Sequence, residues 1–351
     1  MSAEIAPIRV VLAEDSPVTR EYLAHLLRES GAFEVVGIVG DGGAAVEATQ
    51  RLRPDVVLMD IHMPRMNGYE ATRRIMERTP TPIVLISASL DRDEVGMSFE
   101  ALRAGALTVL GKPVGLGHPE AAATVEQMVS TLRLMAEVKV VRRWPAAPAP
   151  APPPAPVPVL PMRRARLVAI GASTGGPAVL AEILGRLPAG LAAPVLVVQH
   201  IAPGFVGGLG EWLGGQTPLA VRVAQAGEPL NAATVYIAPD GHQMGVTRDG
   251  RISLVNDAAA DGFRPSATYL FESVARAMPL LSVGVLLSGM GRDGAAGLRA
   301  LRDAGGLTIA QDRETSVIFG MPAEAVRLGA AAYVLPPEEI AALIAHLARA
   351  K

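Results

Sequence analysis

The chain has 351 residues, half of them apolar, with 32 basic and 34 acidic residues and a formal net charge of −2. That length suits two domains of ordinary size, and the near-neutral balance excludes the basic excess of a general nucleic-acid binder. No cysteine occurs, so disulfides, thiolate nucleophiles and zinc–thiolate centres are excluded. The first residues lack the basic start and apolar core of a secretory signal. The longest apolar runs, such as Leu280–Leu287, fall short of a membrane span. A soluble cytoplasmic protein with no membrane insertion is expected.

The first 140 residues alternate short apolar runs with amphipathic stretches. Ile8–Ala13, Phe33–Val39, Val56–Met59, Ile83–Ile86 and Leu107–Leu110 are predicted strands. Pro17–Glu29, Gly43–Leu52, Gly68–Arg78, Asp91–Ala104 and a stretch from about Pro119 to Val140 are predicted helices. Five βα units with nearly continuous apolar strands imply a parallel sheet covered on both faces. Such sheets bind ligands at the carboxyl ends of their strands.

Those ends carry unusual chemistry. Glu14 and Asp15 follow the first strand, Asp60 the third, Ser87 the fourth, and Lys112, one of only three lysines, the fifth. Taken singly, acids at strand ends are solvated loop residues. Three carboxylates at one edge repel unless a cation lies among them, and a hard divalent ion such as Mg²⁺ takes oxygen ligands of this kind. Asp60 can then accept a phosphoryl group covalently, with Ser87 and Lys112 holding its oxygens. His25 and His62 are expected to serve at the surface or in packing.

Glu14-Asp15, the run Met59-Asp60-Ile61-His62-Met63-Pro64-Arg65-Met66-Asn67-Gly68, Ser87-Ala88 and Lys112-Pro113 resemble a response-regulator receiver domain over about residues 8–130. The resemblance implies a flavodoxin-like fold and phosphorylation of Asp60 by a histidine kinase. It also implies an Mg²⁺ site made by Glu14, Asp15, Asp60 and the His62 backbone carbonyl. Receivers usually carry a switch aromatic three residues before the lysine, where Val109 stands here.

Pro145–Pro161 has nine prolines in seventeen residues. Proline removes backbone donors and fixes φ, so an extended spacer is expected rather than helix or sheet. The expected domains are residues 1–130, a helix end and linker over 131–165, and a second domain over 166–351.

The second domain opens on the strand-like run Arg166–Ile170, then Gly171-Ala172-Ser173-Thr174-Gly175-Gly176-Pro177 and a helix over Ala178–Leu187. Neither GxGxxG nor a Walker lysine is present, so support for a nucleotide site is weak. The same residues satisfy G-x-S-x-G, a serine nucleophile on a tight turn, which by itself is a weak signal. A serine needs a base. His200, at the end of the strand Pro194–Gln199, is better placed than His242 in a polar turn or His346 in the terminal helix. Asp293 lies in the glycine-rich loop after Val283–Leu287, where it can orient a base, and backbone N–H groups of that loop can hold an oxyanion. The order Ser, His, Asp differs from that of α/β-hydrolases.

Gly171–Gly176, Gln199-His200-Ile201-Ala202-Pro203-Gly204-Phe205, Tyr236-Ile237-Ala238-Pro239, Leu287–Gly294 and Phe319-Gly320-Met321-Pro322 resemble the chemotaxis protein-glutamate methylesterase (CheB) family over roughly 166–348. The resemblance implies Ser173 as nucleophile, His200 as base and Asp293 as its partner. It places the oxyanion on the Met290 N–H with Thr174, and it implies no cofactor for the esterase. The implied fold is a second doubly wound, mostly parallel α/β domain. The implied substrates are γ-glutamyl methyl esters on chemoreceptor helices, with deamidation of glutamines there in many members. Segment 206–212 is richer in glycine and poorer in charge than such a family member would suggest. Two other readings are a nucleic-acid-binding output domain, opposed by the neutral second half, and a non-catalytic scaffold, opposed by the three intact residues.

Overall fold

The computed structural model describes residues 6–87, 92–115, 119, 121–138, 140, 164–256 and 262–349. The proline-rich spacer and Ala88 of the Ser87-Ala88 pair lie outside these. The chain forms two compact units, residues 1–149 and 150–351.

In the first unit, β1 (Ile8–Ala13), α1 (Pro17–Glu29), β2 (Phe33–Val39), α2 (Gly42–Leu52), β3 (Val56–Asp60), α3 (Gly68–Arg78), β4 (Ile83–Ser87), α4 (Arg92–Ala104), β5 (Thr108–Gly111) and α5 (Ala121–Ala136) alternate. The strands form one parallel sheet in the order β2-β1-β3-β4-β5. β3 and β4 are buried at every position, which is why they read as unbroken apolar runs rather than alternating ones. Helix starts follow local chemistry. Ser16 caps α1 by accepting from the Thr19 N–H, with Pro17 at the first helical position. Asn67 caps α3 by accepting from the Glu70 N–H at 2.9 Å. The strand order reverses between β1 and β3, which opens a crevice at their carboxyl ends.

The second unit contains β6 (Leu167–Ala172), α6 (Gly176–Gly185), β7 (Val195–Gln199), α7 (Val206–Gly214), β8 (Ala220–Val223), β9 (Thr234–Ile237), β10 (Gln243–Val246) and β11 (Ile252–Val255). It continues with α8 (Ala267–Ala277), β12 (Ser282–Leu286), α9 (Ala295–Asp303), β13 (Leu307–Gln311), α10 (Met321–Arg327), β14 (Tyr333–Leu335) and α11 (Pro337–Leu347). Seven strands make a parallel sheet in the order β14-β13-β12-β6-β7-β9-β8, and β10 and β11 form a separate antiparallel hairpin. The core joins Leu196 and Tyr236 of the sheet to Leu270, Phe271 and Val274 of α8 and Leu298 and Leu301 of α9. Segment 206–212 is helical despite its glycines, because Leu209, Trp212 and Leu213 bury one face. From β6 the chain moves to one side through β7, and from β12 to the other through β13. The switch point therefore lies at the carboxyl ends of β6 and β12. Among the described residues, no helix is long and apolar enough to cross a membrane.

Candidate functional sites

At the carboxyl edge of the first sheet, Glu14, Asp15 and Asp60 each bring a carboxylate oxygen within 4.8 Å of the others. Glu14 and Asp60 are buried and Asp15 is exposed. Lys112 Nζ donates to Asp60 Oδ2 at 2.9 Å. It also lies 2.8 Å from Glu14 Oε2, an ion pair outside the angular range of a hydrogen bond. Burial pushes the Glu14 and Asp60 carboxyls above their ordinary pKa, further than Lys112 draws them down. Burial opposes the charge of Lys112, but its close pairing with both carboxylates holds its pKa above the ordinary value. One ammonium against three carboxylates leaves an excess of negative charge, and among the described residues Glu14 Oε2 meets no donor besides that ammonium. That donor set fits a hard divalent cation.

Ser87 is buried at the end of β4, and its carbonyl accepts from the Lys112 N–H at 2.9 Å, so the two adjoin. His62 is exposed, and its backbone N–H reaches Asp60 Oδ1 at 3.4 Å. His25 sits 3.4 Å from Glu29 on the exposed face of α1. Val109 is a buried strand residue paired with Leu85. Arg20 Nη1 donates to the Glu14 carbonyl at 2.8 Å and to the Asp15 carbonyl at 3.2 Å, fixing the loop that presents both acids. The sequence gives no local sign of that contact.

In the second unit, Ser173, His200 and Asp293 all follow strands at the carboxyl rim. Ala172 pairs with Gln199 across β6 and β7, and the His200 N–H donates to the Ala172 carbonyl at 2.9 Å. The Ser173 N–H donates to the Ser288 carbonyl at 3.0 Å, which ties the serine to the loop after β12. Ser173 thus lies at the switch point, between the β7 and β12 ends. Two glycines permit this. Gly175, with φ +79°, turns the chain into α6 in the left-handed region. At Gly289, a Cβ would lie 2.7 Å from Ser173 Cβ and 2.3 Å from Met321 Sδ, so only glycine admits the serine so close.

His200 Nε2 lies 2.9 Å from Asp293 Oδ2, at hydrogen-bonding distance though off the line of the ring N–H, and among the described residues neither buried ring nitrogen has an aligned hydrogen-bond partner. Asp293 is itself 1% exposed and anchored at the start of α8. Ser266 Oγ donates to Oδ1 at 2.7 Å, the Thr268 N–H to Oδ1 at 3.0 Å and the Ala267 N–H to Oδ2 at 2.7 Å. Burial raises the Asp293 pKa, but His200, Ser266 and Thr268 together outweigh it and hold the carboxyl well below the usual carboxylate range. Asp293 is therefore a carboxylate in the folded protein, where it can orient an imidazole and stabilise its cation. The backbone N–H groups of Met290 and Thr174 donate to no group among the described residues, so both are free to meet an oxyanion.

Sequence reasoning missed several supports of this site. Gln199 Nε2 donates to both the Ser173 and His200 carbonyls, each at 2.8 Å. One amide thus clamps the serine turn to the histidine strand end. The Phe263 ring stacks on the His200 imidazole, with centroids 4.2 Å apart and planes 5° apart. Gln243 is buried, donates to the Phe263 carbonyl at 2.9 Å and accepts from the Ser266 N–H at 2.8 Å. Ser266 before an apolar periodic run is an N-cap signal visible in sequence. Nothing local indicates that Asp293 docks there. His242 is exposed, and among the described residues it bonds its own turn, through the Asp240 carbonyl.

The CheB methylesterase family model matches residues 168–344, and the response regulator receiver domain model matches residues 10–123. A protein of Nitrosospira multiformis named protein-glutamate methylesterase/protein-glutamine glutaminase is 48% identical over 344 residues, covering 97% of each chain. One of the same name, numbered 4, from Myxococcus xanthus is 52% identical over 318 residues, covering 90% of each chain. The crystal structure of the Thermotoga maritima CheB methylesterase catalytic domain is 36% identical with a TM-score of 0.51, covering 52% of this chain and 98% of that one. The geometry at this carboxyl rim thus sits in a chain that belongs to the CheB methylesterase family, with a response-regulator receiver domain ahead of the methylesterase domain.

Proposed function

We propose that the second domain hydrolyses γ-glutamyl methyl esters on the cytoplasmic helices of chemoreceptors and deamidates glutamines there, under control of Asp60 phosphorylation by a histidine kinase. The observation that carries this reading is the Asp293–His200 pair, 2.9 Å apart, beside Ser173 at the switch point. The names of the full-length relatives support the substrate class.

Asp293 holds the imidazole through Nε2, which leaves Nδ1 to take the Ser173 proton as Oγ attacks the ester carbonyl. The oxyanion accepts from the Met290 and Thr174 N–H groups. Each such donor contributes about 3 kcal/mol in a well-studied protease. His200 returns the proton to the leaving methoxy oxygen, and methanol departs. Water then loses a proton to His200, attacks the acyl-serine and frees the glutamate with Ser173 restored.

In the receiver, Glu14, Asp15, Asp60 and the His62 carbonyl would hold Mg²⁺, which when bound neutralises the carboxylates and the incoming phosphoryl charge. The Asp60 carboxylate accepts the phosphoryl group, and Lys112 and Ser87 hold its oxygens.

Replacing Ser173 by Ala in the whole chain is expected to cut methanol release from methylated receptor by about 10⁴-fold or more, with the circular dichroism spectrum unchanged. Retained turnover would remove Ser173 from the mechanism.

A further inference from the structure

Phe263 has no part in the steps above, yet its ring lies parallel to the imidazole that performs them. Its place is fixed. The Gln243 amide holds the Phe263 carbonyl and the Ser266 N–H, and Ser266 in turn binds Asp293. The segment that orients the carboxylate therefore also sets the phenyl ring. A ring so held is ordinarily covered, but Phe263 is 40% exposed and lines a surface cavity with Gly291, Arg292 and Asp293.

The reaction itself places the leaving atom. His200 protonates it, so it lies about 3 Å from a ring nitrogen and near the imidazole plane. The phenyl ring is parallel to that plane and one stacking distance away. A methyl carbon on the leaving oxygen that turns to the phenyl side of the plane can then reach van der Waals contact with the ring edge, about 4 Å away. A leaving NH₂ group has no carbon to put there.

We propose that Phe263 is a specificity-determining residue whose exposed ring edge receives the ester methyl and favours the methyl ester over the primary amide of the same glutamyl carbonyl. This rests on the hydrolase reading above and names the discriminating contact within that site. Stacking that merely steadies the imidazole acts on both substrates alike, because both need the same proton transfers. The ratio of the two activities isolates the contact with the methyl.

The experiment uses the whole chain, as wild type, F263A and F263L. Receptor fragments carry either the γ-methyl ester or glutamine at one position, and methanol and ammonia release are followed. In F263A the ester-to-amide ratio of kcat/KM is expected to fall about fivefold, the effect of one methyl losing apolar contact. F263L, which keeps apolar surface, is expected to restore at least half of that ratio. An unchanged ratio overturns the inference, whether both activities fall together or neither changes. Where the wild type releases methanol but no ammonia, discrimination is already complete, and an unchanged kcat/KM for the ester in F263A overturns the inference. Absence of methanol release from the wild type would instead sink the proposed function.

Discussion

The two sheets place their chemistry at the same address, the carboxyl ends of parallel strands at a switch point, but treat their carboxylates in opposite ways. In the first unit, Glu14 and Asp60 are crowded and pushed toward the protonated form, with one lysine between them. In the second, Asp293 stands alone among donors and is held ionised. The first site is electrostatically incomplete, so a bound cation or phosphoryl group changes its balance of charge. The second carries every charge it needs. One architecture thereby yields a carboxylate cluster short of positive partners and a single carboxylate already satisfied, by the number of donors supplied per carboxylate.

The largest expected effect comes from removing the ionised member of the second site. Asp293→Asn is expected to lower kcat by about 10⁴-fold, because the imidazole loses its orienting charge. It also weakens the start of α8, at a cost of about 1–3 kcal/mol in urea unfolding at pH 7. Asp293 has a folded pKa below its unfolded value of about 3.9. Its contribution is therefore fully present above that value and is lost as pH falls toward the folded pKa. The stability gap between wild type and variant should close across that window; a gap constant from pH 6 to pH 2 would break the contrast drawn here.

Gln199→Met is expected to act less strongly. It keeps the length of the side chain but removes both donors that join the Ser173 and His200 backbones. A drop of about tenfold in kcat with KM unchanged is the expected signature of lost alignment. An equal rise in KM would show that the amide serves binding instead.

The smallest effect is expected at the crowded site. Asp60→Asn removes a carboxylate whose folded pKa is raised, so at neutral pH and without divalent ions it should stabilise the receiver by about 1 kcal/mol. In the wild type this unfavourable contribution is relieved as pH falls through the raised folded pKa, the opposite sign to Asp293. Added Mg²⁺ should stabilise the wild type more than the variant, and a small phosphodonor should stimulate only the wild type's methanol release. Destabilisation by Asp60→Asn in metal-free melts would show that the Lys112 pairing outweighs the repulsion.

Much of this was legible in the sequence for a physical reason. Buried parallel strands such as β3 and β7 carry unbroken apolar runs, Val56–Met59 and Val195–Val198, and Asp60 and His200 stand within two positions of their ends. The other strands of the second unit were not read: β9 and β13 are largely buried but each has a threonine among its four or five residues. β8 is four residues with every second one exposed, and β14 is three residues long, too little pattern to separate from loop. Phe263 sits in a Gly-Phe-Arg-Pro turn, and its stacking partner is 63 residues earlier in the chain. The clamp made by Gln199 depends on which carbonyls meet its amide, a matter of three dimensions rather than spacing.

Asp293 is followed by glycine, a pairing in which the next amide nitrogen can attack the side-chain carbonyl and isomerise the backbone. Here both reactants are occupied. The carboxylate is held by Ser266, Ala267 and Thr268, and the Gly294 N–H is donated to Thr268 Oγ1 at 2.7 Å. The receiver repeats the arrangement at Asn67-Gly68, where the side-chain carbonyl caps α3 and the glycine N–H is given to the Ile61 carbonyl at 2.9 Å. Chemical ageing at either bond thus has to wait for a helix's first turn to open, so the lifetime of each site is tied to the local stability of the helix beside it.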